Sequence, residues 1–169
     1  MKKLYFLLLV VAGLFCFNSK ANAQVGYAFQ ESDLVINAGI GLGTTFSFAG
    51  SLGLPFGASV EYGITDAIGV GGFAGYASGG GLNVLYVGAK GSYHFNELLN
   101  LENDMLDLYA GLSLYYRNFS YSGINFGVAS GVQLGFHIGG RYYFSDSFGV
   151  YGELGNSFGW LTVGVAFKL

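Results

Sequence analysis

Residues 159–169 read "GWLTVGVAFKL". From Leu161 onward they sort by parity, with Leu161, Val163, Val165, Phe167 and Leu169 alternating with Thr162, Gly164, Ala166 and Lys168. A period of two is that of a strand with two unlike faces, one bulky and apolar, the other small or polar. The same alternation recurs through the rest of the chain, which points to lipid as the environment that the bulky face meets.

Working outward, two stretches, 34–60 and 67–89, carry no charge at all, which is long enough to consider membrane-spanning helices. Glycine placement excludes them. Gly39, Gly41 and Gly43 share one parity, as do Gly69, Gly71 and Gly75, and each would cost a helix interior roughly 1 kcal/mol relative to alanine. The period of two instead predicts eight strands, at 34–46, 54–64, 68–77, 83–95, 106–117, 131–144, 148–155 and 160–169. Turn signals separate them. Thr65-Asp66-Ala67, "NELLNLENDM" (96–105) and Ser145-Asp146-Ser147 lie on one side. On the other are "SFAGSLG" (47–53), "SGGGL" (78–82), "NFSYSGINFGVAS" (118–130) and "NSFG" (156–159). Eight antiparallel strands bring both ends of the sheet to one side. Closure into a barrel is the β architecture that leaves no edge unpaired in hydrocarbon.

The opening residues "MKKLYFLLLVVAGLFCFNSKANA" have Lys2 and Lys3, an apolar run at 4–17 and a small-x-small site at Ala21-Asn22-Ala23. That is the pattern of a cleavable secretory signal peptide. It predicts a leader at 1–23, cleaved after Ala23, and a single β-barrel domain at 24–169. Cys16, the chain's one cysteine, follows Phe15, where a lipid-attachment signal wants a small residue. The remainder therefore has neither disulfide nor thiolate metal site. It keeps four basic residues, Lys90, Arg117, Arg141 and Lys168, against ten acidic ones, a balance that excludes a nucleic-acid partner. Only 10% of the whole chain is charged, and it holds 30 glycines, 13 tyrosines and 16 phenylalanines. Soluble domains average about 25% charged residues, so the composition points to a surface that meets lipid.

A lipid-facing barrel carries aromatic girdles at both interfaces. On the bulky parity, the strand ends nearest the first set of turns carry Tyr62, Tyr93, Phe95, Tyr142, Phe144, Phe148 and Phe167, and the opposite ends carry Phe46, Phe56, Tyr76 and Tyr116. Trp160 has inward parity unless it lies beyond its strand. The charges take the other parity, so Glu61, Lys90, Arg117, Arg141 and Glu153 face the lumen. Glu61, Lys90, Arg141 and Glu153 fall at similar height, which predicts a paired structural cluster inside a narrow barrel. Arg117 is expected near the opposite rim, in solvent.

With those residues in place, the chain resembles the small bacterial outer-membrane β-barrel proteins of the OmpA/OmpX-like transmembrane domain family. The resemblance rests on the leader, the eight alternating segments, the hairpin "EYGITDAIGVGGFAGY" (61–76) and the terminal "VGVAFKL". It implies an all-β, eight-stranded, antiparallel up-and-down transmembrane barrel in the outer membrane of a Gram-negative cell, porin-like in architecture. It also implies that Leu161, Val163, Val165, Phe167 and Leu169 resemble the assembly signal read by the barrel-insertion machinery, with Leu169 standing where the family usually has Phe. The expected partners are that machinery and outer-membrane lipid. A partner for the loops is not indicated.

Chemistry-bearing residues are few. Ser92 and His94 share the inner parity of one strand, and a Ser–His pair can supply a nucleophile. However, they face a packed lumen, and the carboxylate at their level, Glu61, already belongs to the cluster. The His-x-Ser order of the family's lipid A deacylases is absent. His137 is inward on another strand, and two histidines without a third ligand do not make a metal site. Glu97, Glu102, Asp104 and Asp107 lack the spacing and glycine of a calcium loop and read as a solvated turn. The reading is a non-enzymatic barrel without cofactor or metal, its lumen plugged by side chains, with a structural, envelope or interaction role. Its alternatives are a narrow small-solute pore, a lipid-modifying enzyme and a soluble lipocalin-like barrel.

Overall fold

The computed structural model describes residues 27–45, 52–101, 103–122 and 129–169. The leader assigned to 1–23, Phe46 and Glu102 lie outside them. The described residues form eight strands: β1 Leu34–Leu42, β2 Phe56–Gly63, β3 Ile68–Gly79, β4 Leu82–His94, β5 Leu106–Tyr121, β6 Gly131–Ser145, β7 Phe148–Gly155 and β8 Leu161–Lys168. Every neighbour pair is antiparallel, and β8 returns to β1 over the register Val35↔Lys168 to Leu42↔Leu161, closing the barrel.

The two largest departures from the expected strand ends have local reasons, and the other ends agree within two residues. β1 stops at Leu42 instead of reaching 46, because Gly43 takes φ +75°, a left-handed conformation that ends the extended run. β5 extends past 117, because β4 runs up to Leu82 and pairs with it as far as Tyr121. The inward Phe119 thereby joins the interior. The β3–β4 turn contains Gly80 and Gly81 at φ 58° and 80°, where a side chain would be strained.

The two faces divide as the parity requires. Leu134, Phe136 and Ile138 on β6, like Leu112 and Leu114 on β5, point outward and are more than half exposed. Arg141, Glu61, Asp107, His94 and Tyr109 are fully buried in the lumen. A soluble ligand barrel needs a polar outside and an apolar inside, and this chain has an apolar outside and places its buried charges inside.

The outward aromatics form continuous contacts near the termini: Tyr142 packs edge-on against Phe144, Phe144 against Phe148 and Phe148 against Phe167, with centroids 5.3–6.3 Å apart. Tyr93 meets Phe95, and Tyr62 is exposed at the same end of β2. At the opposite rim Phe56 packs edge-on against Tyr76, and Tyr116 is exposed. Trp160 lies just before β8 and is half exposed, which resolves its parity.

The lumen is itself layered. Toward the far rim it holds Phe73, Leu82, Val84, Tyr86, Tyr115 and Phe158 in one apolar cluster. Toward the termini it holds the buried charges Glu61, Lys90, Asp107 and Arg141.

Candidate functional site

Inner-face glycines make room for the charged layer. A Cβ at Gly69 would stand 2.7 Å from Glu61 Oε1, and one at Gly139 would stand 2.8 Å from Tyr109 Oη. β3 and β6 thus give up side chains where β2 and β5 send long ones inward.

At the centre is Arg141 on β6. Its Nη1 donates to Asp107 Oδ2 at 2.7 Å, its Nη2 donates to Glu61 Oε2, and its Nε donates to Asn37 Oδ1 at 3.3 Å. The guanidinium lies over the Tyr109 ring at 4.2 Å. His94 Nδ1 donates to Asp107 Oδ1 at 2.7 Å, and Asn96 Nδ2 donates to the same oxygen at 3.0 Å. One arginine thus joins two carboxylates from β2 and β5 across the lumen, and each carboxylate is also approached by His94 from β4. Glu61 Oε1 and His94 Nε2, 3.6 Å apart, have no hydrogen-bond partner.

A second layer sits deeper. Lys90 Nζ donates to Glu153 Oε2 at 3.0 Å, Tyr109 Oη donates to the same oxygen at 3.1 Å, and Ser92 Oγ shares a hydrogen bond with His137 Nε2 at 3.0 Å. The four charges expected at one level are therefore brought together as two pairs, Glu61 with Arg141 and Lys90 with Glu153, stacked through Tyr109.

Three expectations are corrected. Asp107 is not part of a solvated turn: as the second residue of β5 it points inward, is fully buried and ligates Arg141. The carboxylate at the level of Ser92 and His94 is not Glu61 alone, because Asp107 holds His94, while Ser92 turns to His137 on β6. Arg117 is half-buried instead of solvated, with Nη1 toward Thr45 O and its guanidinium over Phe119.

Sequence reasoning missed a further participant, the segment ahead of β1. Phe29 is fully buried and stacks flat on His94, centroids 3.4 Å apart and planes within 2°. Lys168 Nζ on β8 donates to Ala28 O at 3.1 Å. At the rim, burial pushes the Asp33 carboxyl above its ordinary range, even with Lys168 Nζ 3.9 Å away.

With that geometry in view, comparison with solved structures gives consistent neighbours. The N-terminal β-barrel domain of Pseudomonas aeruginosa OprF superposes with a TM-score of 0.58 at 19% identity, covering 83% of this chain and 99% of that one. The fold is that of the small bacterial outer-membrane β-barrels. The outer-membrane protein OprG from the same organism matches with a TM-score of 0.55 at 11% identity over 86% of this chain and 98% of its own. A de novo designed transmembrane β-barrel matches with a TM-score of 0.54 at 17% identity over 83% and 98%. No family model and no curated protein matches the chain. At these identities the likeness is one of architecture, and the lumen network stands on this chain's own residues.

Leu161, Val163, Val165, Phe167 and Leu169 lie along or just past β8, with Val163, Phe167 and Leu169 exposed outward, while Thr162 and Ala166 are buried. β8 pairs with both β7 and β1, so this strand seals the wall.

Proposed function

We propose that the chain is an integral β-barrel of the bacterial outer membrane, exported by its leader, with both strand termini toward the periplasm. In this reading its lumen is plugged by its own side chains, and its role is structural or interactive in the envelope. The single observation that carries the reading is the combination of an apolar, girdled exterior with an interior filled by paired charges and aromatic rings. The exterior fits hydrocarbon as its solvent, and the side chains that fill the interior among the described residues support a plug over a conduit. A cavity of about 10 Å³ between Ser59, Lys90, Tyr151, Glu153, Ser157 and Thr162 is large enough for about one water. Above it the ring cluster of Phe73, Tyr115 and Phe158 closes the far half. Catalysis is not part of the reading: Ser92 and His137 meet inside this packed interior, beyond the reach of a substrate.

Conductance tests the plug. Purified, refolded protein in planar bilayers is expected to give no discrete channel steps. Reproducible unitary steps in the unmodified chain would replace the plugged barrel with the narrow-pore reading.

A further inference from the structure

We propose that residues 27–33 form a releasable seal over the charged floor of the lumen, with Phe29 as its latch, so that the barrel has a closed and an opened periplasmic mouth. This goes beyond the plugged-barrel reading, which needs only fixed side chains.

The segment is not a stave of the barrel. It makes no strand pairing and bends back through a turn at 30–33, in which Asp33 N donates to Gln30 O and Ser32 adopts φ 72°, a left-handed conformation for a residue with a side chain. Its holds on the barrel are scattered single contacts. Ser32 N donates to Gly63 O and Gly63 N to Asp33 O, both at 2.9 Å, Glu31 N donates to Asp66 Oδ1 at 2.8 Å, and Lys168 Nζ donates to Ala28 O and faces Asp33 Oδ2 at 3.9 Å. Ala28 packs with Tyr143 and Ala166. The partners come from β2, the β2–β3 turn, β6 and β8, so the segment spans the mouth instead of extending one edge. Gly63 gives it clearance, since a Cβ there would meet Phe29 Cζ at 3.2 Å.

What lies beneath the latch lowers the cost of release. The Phe29 ring covers His94, whose buried Nε2 faces Glu61 Oε1 at 3.6 Å, just beyond hydrogen-bond distance, and neither atom has another hydrogen-bond partner. A phenyl ring can satisfy neither. Withdrawing the segment exposes Phe29 but admits water to both atoms, and hydration of two polar groups that lack a hydrogen bond opposes the loss of one buried ring. The staves, by contrast, are held by continuous ladders on both sides. The seal therefore opens at lower free energy than the barrel unfolds.

Modification of histidine by diethyl pyrocarbonate, read residue by residue by peptide mass spectrometry, tests this in protein reconstituted into phosphatidylcholine vesicles. His137 lies deeper and serves as the internal reference. In the unmodified chain His94 is expected to react faster than His137. Phe29→Ala is expected to speed His94 by roughly tenfold or more, as loss of a latch should act on a local opening, and to leave His137 unchanged. Phe29→Leu, which keeps an apolar side chain but loses the stacked ring, should fall between. The proposal is overturned if His94 is as unreactive as His137 in all three proteins, or if the variants accelerate both histidines together, which would mean general loosening of the barrel.

Discussion

Replacing Arg141 with methionine is expected to be the most damaging single change in the lumen. Methionine keeps the apolar stem but not the guanidinium, so Glu61 and Asp107 lose the cation that joins them and keep only His94 beside both. Removing one partner of a buried ion pair costs about 3–5 kcal/mol, because the remaining charge is stranded away from water. Here two carboxylates lose the same guanidinium, and His94 is the one ionisable group left in contact with both. The measurement is the urea midpoint of unfolding in vesicles, followed by the difference in electrophoretic mobility between unboiled and boiled samples, and the midpoint should fall steeply. Combining Arg141→Met with Glu61→Gln and Asp107→Asn should recover most of the loss, since an amide needs only hydrogen bonds where a carboxylate needs a countercharge. An unchanged midpoint in the single variant, or no recovery in the triple, would show that the network does not hold the lumen together as described.

The second large effect belongs to the outer face. Ile138 on β6 is 55% exposed and pairs with Ala110 and Leu154, between the Tyr116↔Val132 row and the Leu106↔Tyr142 row. It therefore lies at the middle of the apolar band. Ile138→Arg should destabilise the barrel in a bilayer by about 2–4 kcal/mol, whereas the same charge near an interface costs only about 0–1 kcal/mol. Leu98→Arg supplies that comparison, because Leu98 is 64% exposed in the turn between β4 and β5, below the Tyr93–Phe95 aromatics. Refolding into vesicles at increasing urea gives both values. A depth-dependent difference follows from a lipid-facing wall. A soluble barrel would accept arginine equally well at both positions, since each would simply be on a wet surface.

The fold was legible because one physical signal, the period of two, runs through nearly every element. In a barrel wall each residue has one of two environments, so parity assigns a side, and the inward charges agreed with the outward aromatics. The candidate site was legible in part. Glu61, Lys90, Arg141 and Glu153 follow from parity and height, but height along separate strands does not say which acid meets which base. The barrel pairs them through Tyr109, whose ring lies under Arg141 and whose hydroxyl holds Glu153. Asp107 was misplaced because it follows a run of acids in a turn, and composition outweighed its position as the second residue of a strand. Parity alone would have sent it inward beside His94. Phe29 was beyond this reasoning, because residues 27–33 carry no periodicity. Their place is set by contacts to Gly63, Asp66, His94 and Lys168, which are distant in sequence and converge only when the barrel closes.

The chain forms a closed barrel whose apolar wall is fitted to lipid. The most direct test is to express the full-length chain in a Gram-negative host, separate the envelope from the soluble periplasm, and run the outer-membrane fraction boiled and unboiled. Recovery in the outer-membrane fraction and faster migration of the unboiled protein are expected, as a closed, detergent-resistant barrel requires. Recovery in the soluble periplasm with no mobility shift would contradict it.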